Sequence, residues 1–489
     1  MVVVVGGGAT GLGVAWDLQS RGIPVTVVEQ GDLGHGTSGR FHGLLHSGGR
    51  YVVRDPAAAR ECWQENQLLR RIAPSAIEDT GGYFVDGGPD SDPKFLGLWL
   101  HGCRTAGIPV REEPLSRVRA LVPDLNPGSR RAFWVPDAVL EGFRMLQLLA
   151  GHLERQGGRV LTHTRVDAVA LSGGRAVGVD VEGPAGREHL ACDLLINAAG
   201  PWAGELSQLY GDPIPLQLGG GLMLIFAHRR TPVVVNRLGP PGDGDILVPH
   251  QSVAILGTTD VPQADPAPPA ASRGEARRLM DLGRILFPSI DAWRVLRAFA
   301  GVRPLYQPPS SGAASSRWVT RDFTVIDHEA AGGPAAVLAV VGGKFTTFRA
   351  MAERTGDAAA AHLGVHTASR TRGMVLEPLA PEAPHDGEAP AVCECEHVGE
   401  DRLNALRHEP LGQWRTQTWF AMGPCQGTFC VHRGAGIRRR EVPGGQVRDE
   451  VGALRAERDR GFQPVLWGAN AQEWALNRAV RRETLGEPL

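Results

Sequence analysis

Four of the seven cysteines, Cys393, Cys395, Cys425 and Cys430, fall within 38 residues, in the contexts Cys-Glu-Cys-Glu-His-Val and Gly-Pro-Cys-Gln-Gly-Thr-Phe-Cys. Such clustering points to a shared ligand or disulfide role. Four thiolates can hold zinc or an iron–sulfur centre, and the spacing leaves that choice open, because structural zinc sites more often use similar short spacings on both sides. An odd cysteine total favours a cytosolic protein over a disulfide framework.

The second chemical pattern is Gly6-Gly7-Gly8-Ala9-Thr10-Gly11, which contains G-x-G-x-x-G, with Glu29 closing the next apolar run. The glycines allow a tight turn and let the backbone approach a pyrophosphate at a helix N-terminus, while the acid accepts hydrogen bonds from ribose hydroxyls. An acidic Glu29 disfavours a 2′-phosphate, so FAD or NAD is expected rather than NADP. The two patterns constrain each other. Hydride transfer moves two electrons and an iron–sulfur centre takes one at a time, a mismatch that a flavin bridges and a nicotinamide does not. If the cysteines hold iron and sulfur, FAD is expected and electrons leave through the cluster. A glycine turn in an ordinary α/β domain, a zinc knuckle and four unrelated thiols are the plainer readings.

Residues 36–51 add a third cluster, in which Arg40, His42, His46 and Arg50 combine anion binding with proton transfer. Taken singly, such a histidine is more often structural and such an arginine a solvated surface charge. Basic residues are otherwise informative by type: only Lys94 and Lys344 are lysine among 51 Lys and Arg. In so arginine-biased a chain, Lys344, between Gly342-Gly343 and Phe345-Thr346-Thr347, suggests an ammonium that stabilises negative charge on a reduced ring or a phosphate. The alternative is a chance surface lysine.

The elements that must position these groups are legible in outline. Val2 to Val5, the glycine turn, a helix over 14–21 and a strand over 25–29 form a βαβ opening. Buried strands are expected at 194–196 and 336–341, and a helix at 275–287. The expected domain plan is a discontinuous FAD domain (1–75, 150–215 and 320–370) and a substrate domain (76–149 and 216–319). A linker (371–391), a cysteine module (392–445) and a helical tail (446–489) follow. At 489 residues the chain is long enough for about three domains. A net charge of -2 provides no global field for nucleic acid or an anionic membrane, so any anion must be recognised locally. The longest uncharged apolar stretch, near 219–227, is too short to span a bilayer. The start, Met-Val-Val-Val-Val-Gly, lacks the parts of a signal peptide, and its first strand begins so abruptly that a longer native N-terminus is one expectation.

On these residues the sequence resembles the FAD-dependent glycerol-3-phosphate dehydrogenases, in particular the catalytic A subunit of the anaerobic enzyme. The resemblance runs through nearly the whole chain. It includes the glycine motif at 6–11, His-Gly-Leu-Leu-His-Ser-Gly-Gly-Arg-Tyr at 42–51, Ala-Arg-Glu-Cys at 59–62 and Ile-Leu-Val-Pro at 246–249. Gly-Thr-Thr-Asp at 257–260, Gly-Val-Arg-Pro-Leu at 301–305, Thr-Arg-Asp-Phe at 320–323 and Gly-Gly-Lys-Phe-Thr-Thr-Phe-Arg at 342–349 extend it, with Pro-Val-Leu-Trp-Gly at 464–468 in the tail. The four-cysteine module resembles the [2Fe-2S] domain of bacterioferritin-associated ferredoxin.

The resemblance implies an α/β and α+β architecture of the D-amino-acid-oxidase kind: a discontinuous Rossmann-like FAD domain interleaved with a substrate domain, then a small iron–sulfur domain. It implies oxidation of sn-glycerol 3-phosphate to dihydroxyacetone phosphate, with electrons leaving through a [2Fe-2S] cluster on Cys393, Cys395, Cys425 and Cys430 towards the quinone pool. Arg50, Arg303 and Arg321 are the implied phosphate ligands, His46 the base or proton relay, Tyr51 the substrate-orienting residue, and Lys344 a neighbour of the flavin edge. The implied FAD contacts are Gly6, Gly8, Ala9, Thr10, Gly11, Glu29, Gln30, Thr37, Ser38, His42, Val166, Ala199, Gly200, Trp202, Gly343, Lys344, Phe345 and Thr346. B- and C-type partner subunits, and a cytoplasmic protein reaching the inner face of the membrane only through them, are implied as well.

One stretch departs from the pattern. Where the family usually carries Lys-Gly followed by a polar residue, this chain has Gly219-Gly220-Gly221-Leu222. That keeps two alternatives in view: the same fold acting on an amine, amino acid or 2-hydroxy acid, and a non-catalytic redox or scaffold protein.

Overall fold

The computed structural model describes residues 1–87, 91–307, 322–377 and 389–485. Its first strand, β1 (Val2–Val5), is four β-branched residues buried on both faces, as a central parallel strand requires. It pairs in parallel with β2 (Val25–Val28) on one side and Leu194–Asn197 on the other. Arg159–Leu161 extends the sheet beyond β2, while Val337–Gly342 and then Phe323–Asp327 extend it beyond Leu194–Asn197. These six strands come from three separate stretches of chain.

Helix α1 (Ala9–Ser20) covers this sheet and is almost wholly buried. Gly13 lets Phe348 of the helix Phe348–His362 lie close, since a Cβ there would come within 2.8 Å of the Phe348 ring. A three-stranded antiparallel sheet, Arg165–Ser172, Arg175–Gly183 and Gly186–Ala191, shares a core with the other face through Val179, Val181, Leu190, Val3, Val5 and Val28.

The intervening segments form a nine-stranded sheet. Its spine is the antiparallel pair of twelve-residue strands Leu216–Ala227 and Val295–Tyr306. Val253–Gly257 pairs with the first of these, and Ile246–His250 lies beyond it. The helix Arg273–Leu286, capped by the Ser272 hydroxyl accepting from Glu275 N–H, packs Ala276, Leu279 and Met280 into this sheet's core. The result is the expected α/β and α+β arrangement, a Rossmann-like body interleaved with a second sheet domain.

The C-terminal cysteine module is a short hairpin, Ala391–Cys393 with Val398–Gly399, followed by helices Glu400–Ala405, Leu411–Thr418 and Cys430–Arg438. The next helix, Gly444–Phe462, was expected to begin a separate tail, yet its Val447, Val451 and Leu454 enter the module's core beside Trp414 and Phe420. Its apolar positions recur at helical spacing, and the module supplies the surface that buries them. Trp419 docks the module on the sheet domain, with its ring 4.6 Å from that of His250. Among the described residues, no helix is long and apolar enough to cross a membrane.

Candidate functional site

The glycine turn after β1 is shaped by contacts that exclude side chains. Gly6 has φ +121°, and a Cβ on it would lie 2.3 Å from the Ala198 carbonyl. A Cβ on Gly11 would lie 1.9 Å from the Gly6 carbonyl, so Gly11 sits behind the turn as a helix–strand packing residue and does not line the cavity. Glu29 organises the same turn. Its carboxylate accepts from Gly7 N–H at 2.7 Å and Gly31 N–H at 2.8 Å, leaving further lone pairs for ribose hydroxyls. The Ser38 hydroxyl accepts from Ala9 N–H at 3.0 Å, tying the 36–51 loop to the start of α1.

These groups open onto a cavity of about 1090 Å³ between body and sheet domain. Every other sequence-identified cofactor residue lines it: Gly6, Gly8, Ala9, Thr10, Glu29, Gln30, Thr37, Ser38, His42, Val166, Ala199, Gly200, Trp202, Gly343, Lys344, Phe345 and Thr346. A long dinucleotide fits a cavity of this size whose turn is closed to side chains. Gly342 and Gly343, with φ +83° and +76°, bend the chain so that Lys344 enters it.

Three of the expected catalytic groups, Lys344, Tyr51 and His46, form one series of contacts that continues to the cofactor-site residue His42. Lys344 Nζ lies 4.8 Å from the Tyr51 ring centroid, Tyr51 lies 5.4 Å from His46, and His46 lies 5.9 Å from His42. The loop carrying His46 is fixed by its backbone. His46 N–H donates to the Thr346 hydroxyl at 3.2 Å, its carbonyl accepts from the Asn66 amide at 3.1 Å, and Ser47 N–H donates to buried Asp137 at 2.7 Å. His42 accepts from Leu44 N–H at Nδ1 (3.1 Å), which leaves Nε2 as its donor. Burial, reinforced by the Arg50 and Arg303 guanidiniums, pushes its pKa down to about 3, so His42 is neutral at working pH.

Arg50 and Arg303 line the same cavity, each held by a carboxylate. Arg50 donates to Asp245 at 3.2 Å, and Asp245 is also paired with Arg237 at 2.7 Å. Arg303 donates to Asp260 and to the Thr259 carbonyl, both at 2.9 Å, and to the Thr258 hydroxyl. Arg321 lies outside the described residues. Sequence reasoning missed the partners Asp245 and Thr258 to Asp260. The Gly-Thr-Thr-Asp string was visible at 257–260, but nothing in it signalled an arginine 43 residues away.

Two expectations change. Arg40 turns away from His42, His46 and Arg50 and lines a second cavity on the opposite side of its loop. The altered strand at 219–222 takes no polar group from the main cavity, because none of its residues lines it. Leu222 is buried in the sheet-domain core, and the room beside Gly220 is filled by Gln263.

The four cysteines converge as foreseen. They form a net of side-chain neighbours, Cys430 with Cys393 and Cys425, and Cys395 with Cys425, and this neighbourhood holds Cys393 and Cys425 below the usual thiol range. All seven cysteines are free thiols. Among the described residues, no group of three or more His, Cys, Asp or Glu side chains is arranged to hold a metal ion. Four non-glycine residues with positive φ, His397, Trp419, Ala421 and Gln426, lie around the net, a concentration typical of ligand-holding loops.

A model of the DAO family, described as FAD dependent oxidoreductase, matches residues 1–349. The chain is 36% identical, over 99% of its own length and 90% of the relative's, to the A1 subunit of anaerobic glycerol-3-phosphate dehydrogenase from Haloferax volcanii. It is 33% identical to the A subunit of anaerobic glycerol-3-phosphate dehydrogenase from Escherichia coli, over 99% and 96% of the two chains. Its fold is similar to that of a glycerol-3-phosphate dehydrogenase from Bacillus halodurans complexed with FAD, with TM-score 0.68 at 20% identity over 96% of each chain.

Proposed function

Because this chain belongs to the FAD-dependent oxidoreductases of the DAO family, and within them to the group containing the A subunits of anaerobic glycerol-3-phosphate dehydrogenase, we propose that it oxidises sn-glycerol 3-phosphate to dihydroxyacetone phosphate. The observation that carries this reading is a single cavity combining a dinucleotide turn closed to side chains with two carboxylate-held guanidiniums, Arg50 and Arg303. Forked guanidiniums match a phosphate dianion in a way that the overall charge of -2 cannot.

Bound FAD supplies a two-electron acceptor for the C2 hydride. The cradle for it is the 6–10 turn with Glu29, Ser38 and the 342–346 segment. Arg50 and Arg303, with Arg321 as the third expected ligand, hold the phosphate and thereby fix C2. His46 takes the proton of the C2 hydroxyl. Tyr51, between His46 and Lys344, orients the substrate, and Lys344 brings the positive charge that favours a reduced ring. His42, held neutral, donates from Nε2 without competing for that proton.

In the same reading Cys393, Cys395, Cys425 and Cys430 hold a [2Fe-2S] cluster, which supplies a one-electron exit. B- and C-type subunits receive the electrons and pass them towards the quinone pool. They also tether a cytoplasmic protein to the inner face of the membrane.

Turnover with an artificial acceptor tests the substrate. Activity with sn-glycerol 3-phosphate, and none with glycerol, glycine, D-alanine or lactate, is expected; preference for an amine or a 2-hydroxy acid overturns the reading.

A further inference from the structure

A second cavity, about 120 Å³, lies where the cysteine module meets the flavin body. It is roughly tenfold the 10 to 15 Å³ that one water needs. Four guanidiniums line it: Arg40 from the loop after Glu29, Arg297 from the strand Val295–Tyr306, and Arg415 and Arg458 from the module and its long helix. One carboxylate answers them. Glu457 lies 3.0 Å from Arg297 Nη2, 3.6 Å from Arg415 Nη1 and 3.8 Å from Arg458 Nε. The other acid of the lining, Asp32, is engaged by His163 at 2.9 Å.

The donors left over are buried. The Arg458 side chain is 3% exposed and that of Arg297 6%. Among the described residues, Nε of Arg297, Arg415 and Arg458 and Nη2 of Arg458 have no hydrogen-bond partner. Arg297 is held by packing, since a Cβ on Gly461 would lie 2.6 Å from its Nε. Buried guanidiniums with unsatisfied N–H groups and one shared carboxylate call for further negative charge.

We propose that this seam cavity is a binding site for a small tetrahedral dianion of the phosphate class, which joins the flavin body to the cysteine module through Arg40, Arg297, Arg415 and Arg458. A phosphate offers oxygens in several directions, so guanidiniums from both units can share it, and the planar fork of arginine matches its edges. The site is independent of the substrate assigned to the main cavity. Its occupant is either free phosphate or the phosphate group of an ester.

Isothermal titration of the full-length, FAD-loaded protein with inorganic phosphate tests the site. In a variant carrying Arg50→Met and Arg303→Met, which removes two of the guanidiniums assigned to the substrate phosphate, one phosphate per chain is expected to bind still. Adding Arg458→Met should weaken that binding at least tenfold. Should Arg458→Met fail to fold, Arg415→Gln, at a partly exposed position, carries the same expectation. Loss of all phosphate binding with the main-cavity pair, or equal binding after the seam substitutions, overturns the proposal. Titrating the Arg50→Met, Arg303→Met variant with sn-glycerol 3-phosphate separates the sources. Binding of the ester as tightly as phosphate identifies an ester, binding of phosphate alone identifies the free ion, and binding of neither overturns the site.

Discussion

The Arg303 guanidinium occupies the space that a side chain at residue 221 would need: a Cβ on Gly221 would lie 2.4 Å from Arg303 Nη2. The glycine in this altered strand therefore gives a phosphate-binding candidate its place. Gly221→Ala must push Arg303 off its contacts with Asp260 and Thr259. A charge-assisted hydrogen bond is worth roughly 1.5 to 3 kcal/mol, so KM for sn-glycerol 3-phosphate should rise about tenfold or more while FAD content stays constant. Steady-state kinetics with a flavin absorbance assay checks this, and an unchanged KM would separate Arg303 from the phosphate.

Arg50→Ala should lower kcat/KM by about 100-fold, the loss expected when one guanidinium leaves a bound dianion. Stability should hardly change, because Asp245 keeps its ion pair with Arg237 at 2.7 Å. Kinetics and a thermal melt together decide the matter. A large fall in melting midpoint with kinetics intact would make Arg50 a structural residue.

His42 gives a pH test with a definite sign. The folded chain holds it neutral down to about pH 3, whereas the unfolded chain protonates it near the ordinary value of about 6.5. Between those values the unfolded state carries the extra proton, so this group's stability contribution is present above pH 6.5 and is lost as pH falls, by about 1.4 kcal/mol per unit. Denaturant melts at about pH 6.5 and about pH 5 should show wild type losing about 2 kcal/mol more than His42→Gln. Equal losses would contradict the assignment.

If His46 is the base, the fall of kcat/KM at low pH should persist in His42→Gln and vanish, with most of the rate, in His46→Gln. A limb that disappears with His42 would reverse the two roles.

Cys425 neighbours both Cys430 and Cys395 in the thiol net. Cys425→Ser should abolish bound iron and acid-labile sulfide yet leave flavin reduction by substrate intact, because the cysteines do not line the flavin cavity. Loss of FAD from that variant would show that the module and the body do not bind their groups separately.

What the sequence revealed and what it hid follow from range. The 6–11 turn, Glu29 and the opening βαβ unit were legible because their constraints act within about thirty residues, and a glycine that meets a backbone carbonyl leaves its mark in residue type. The cysteine net was legible because four thiols close together are rare by chance. Arg50 stood out in the 36–51 cluster, and Arg303 entered through resemblance. Their partners were not, because the Arg50 to Asp245 pair joins residues 195 positions apart. Arg40 was misplaced for a related reason: adjacent residues of an irregular loop face opposite ways, and no periodicity reveals which. Nothing in an arginine-rich chain set the seam arginines apart, because only the module's docking brings Arg415 and Arg458 beside Arg297.

The central claim, that one cavity joins a flavin to a phosphate-recognising site, is tested most directly by anaerobic absorption spectra of the purified protein before and after adding sn-glycerol 3-phosphate, with iron and sulfide assayed on the same sample. The account predicts flavin and iron–sulfur bands that bleach on addition of the substrate. Flavin that stays oxidised in its presence would contradict it.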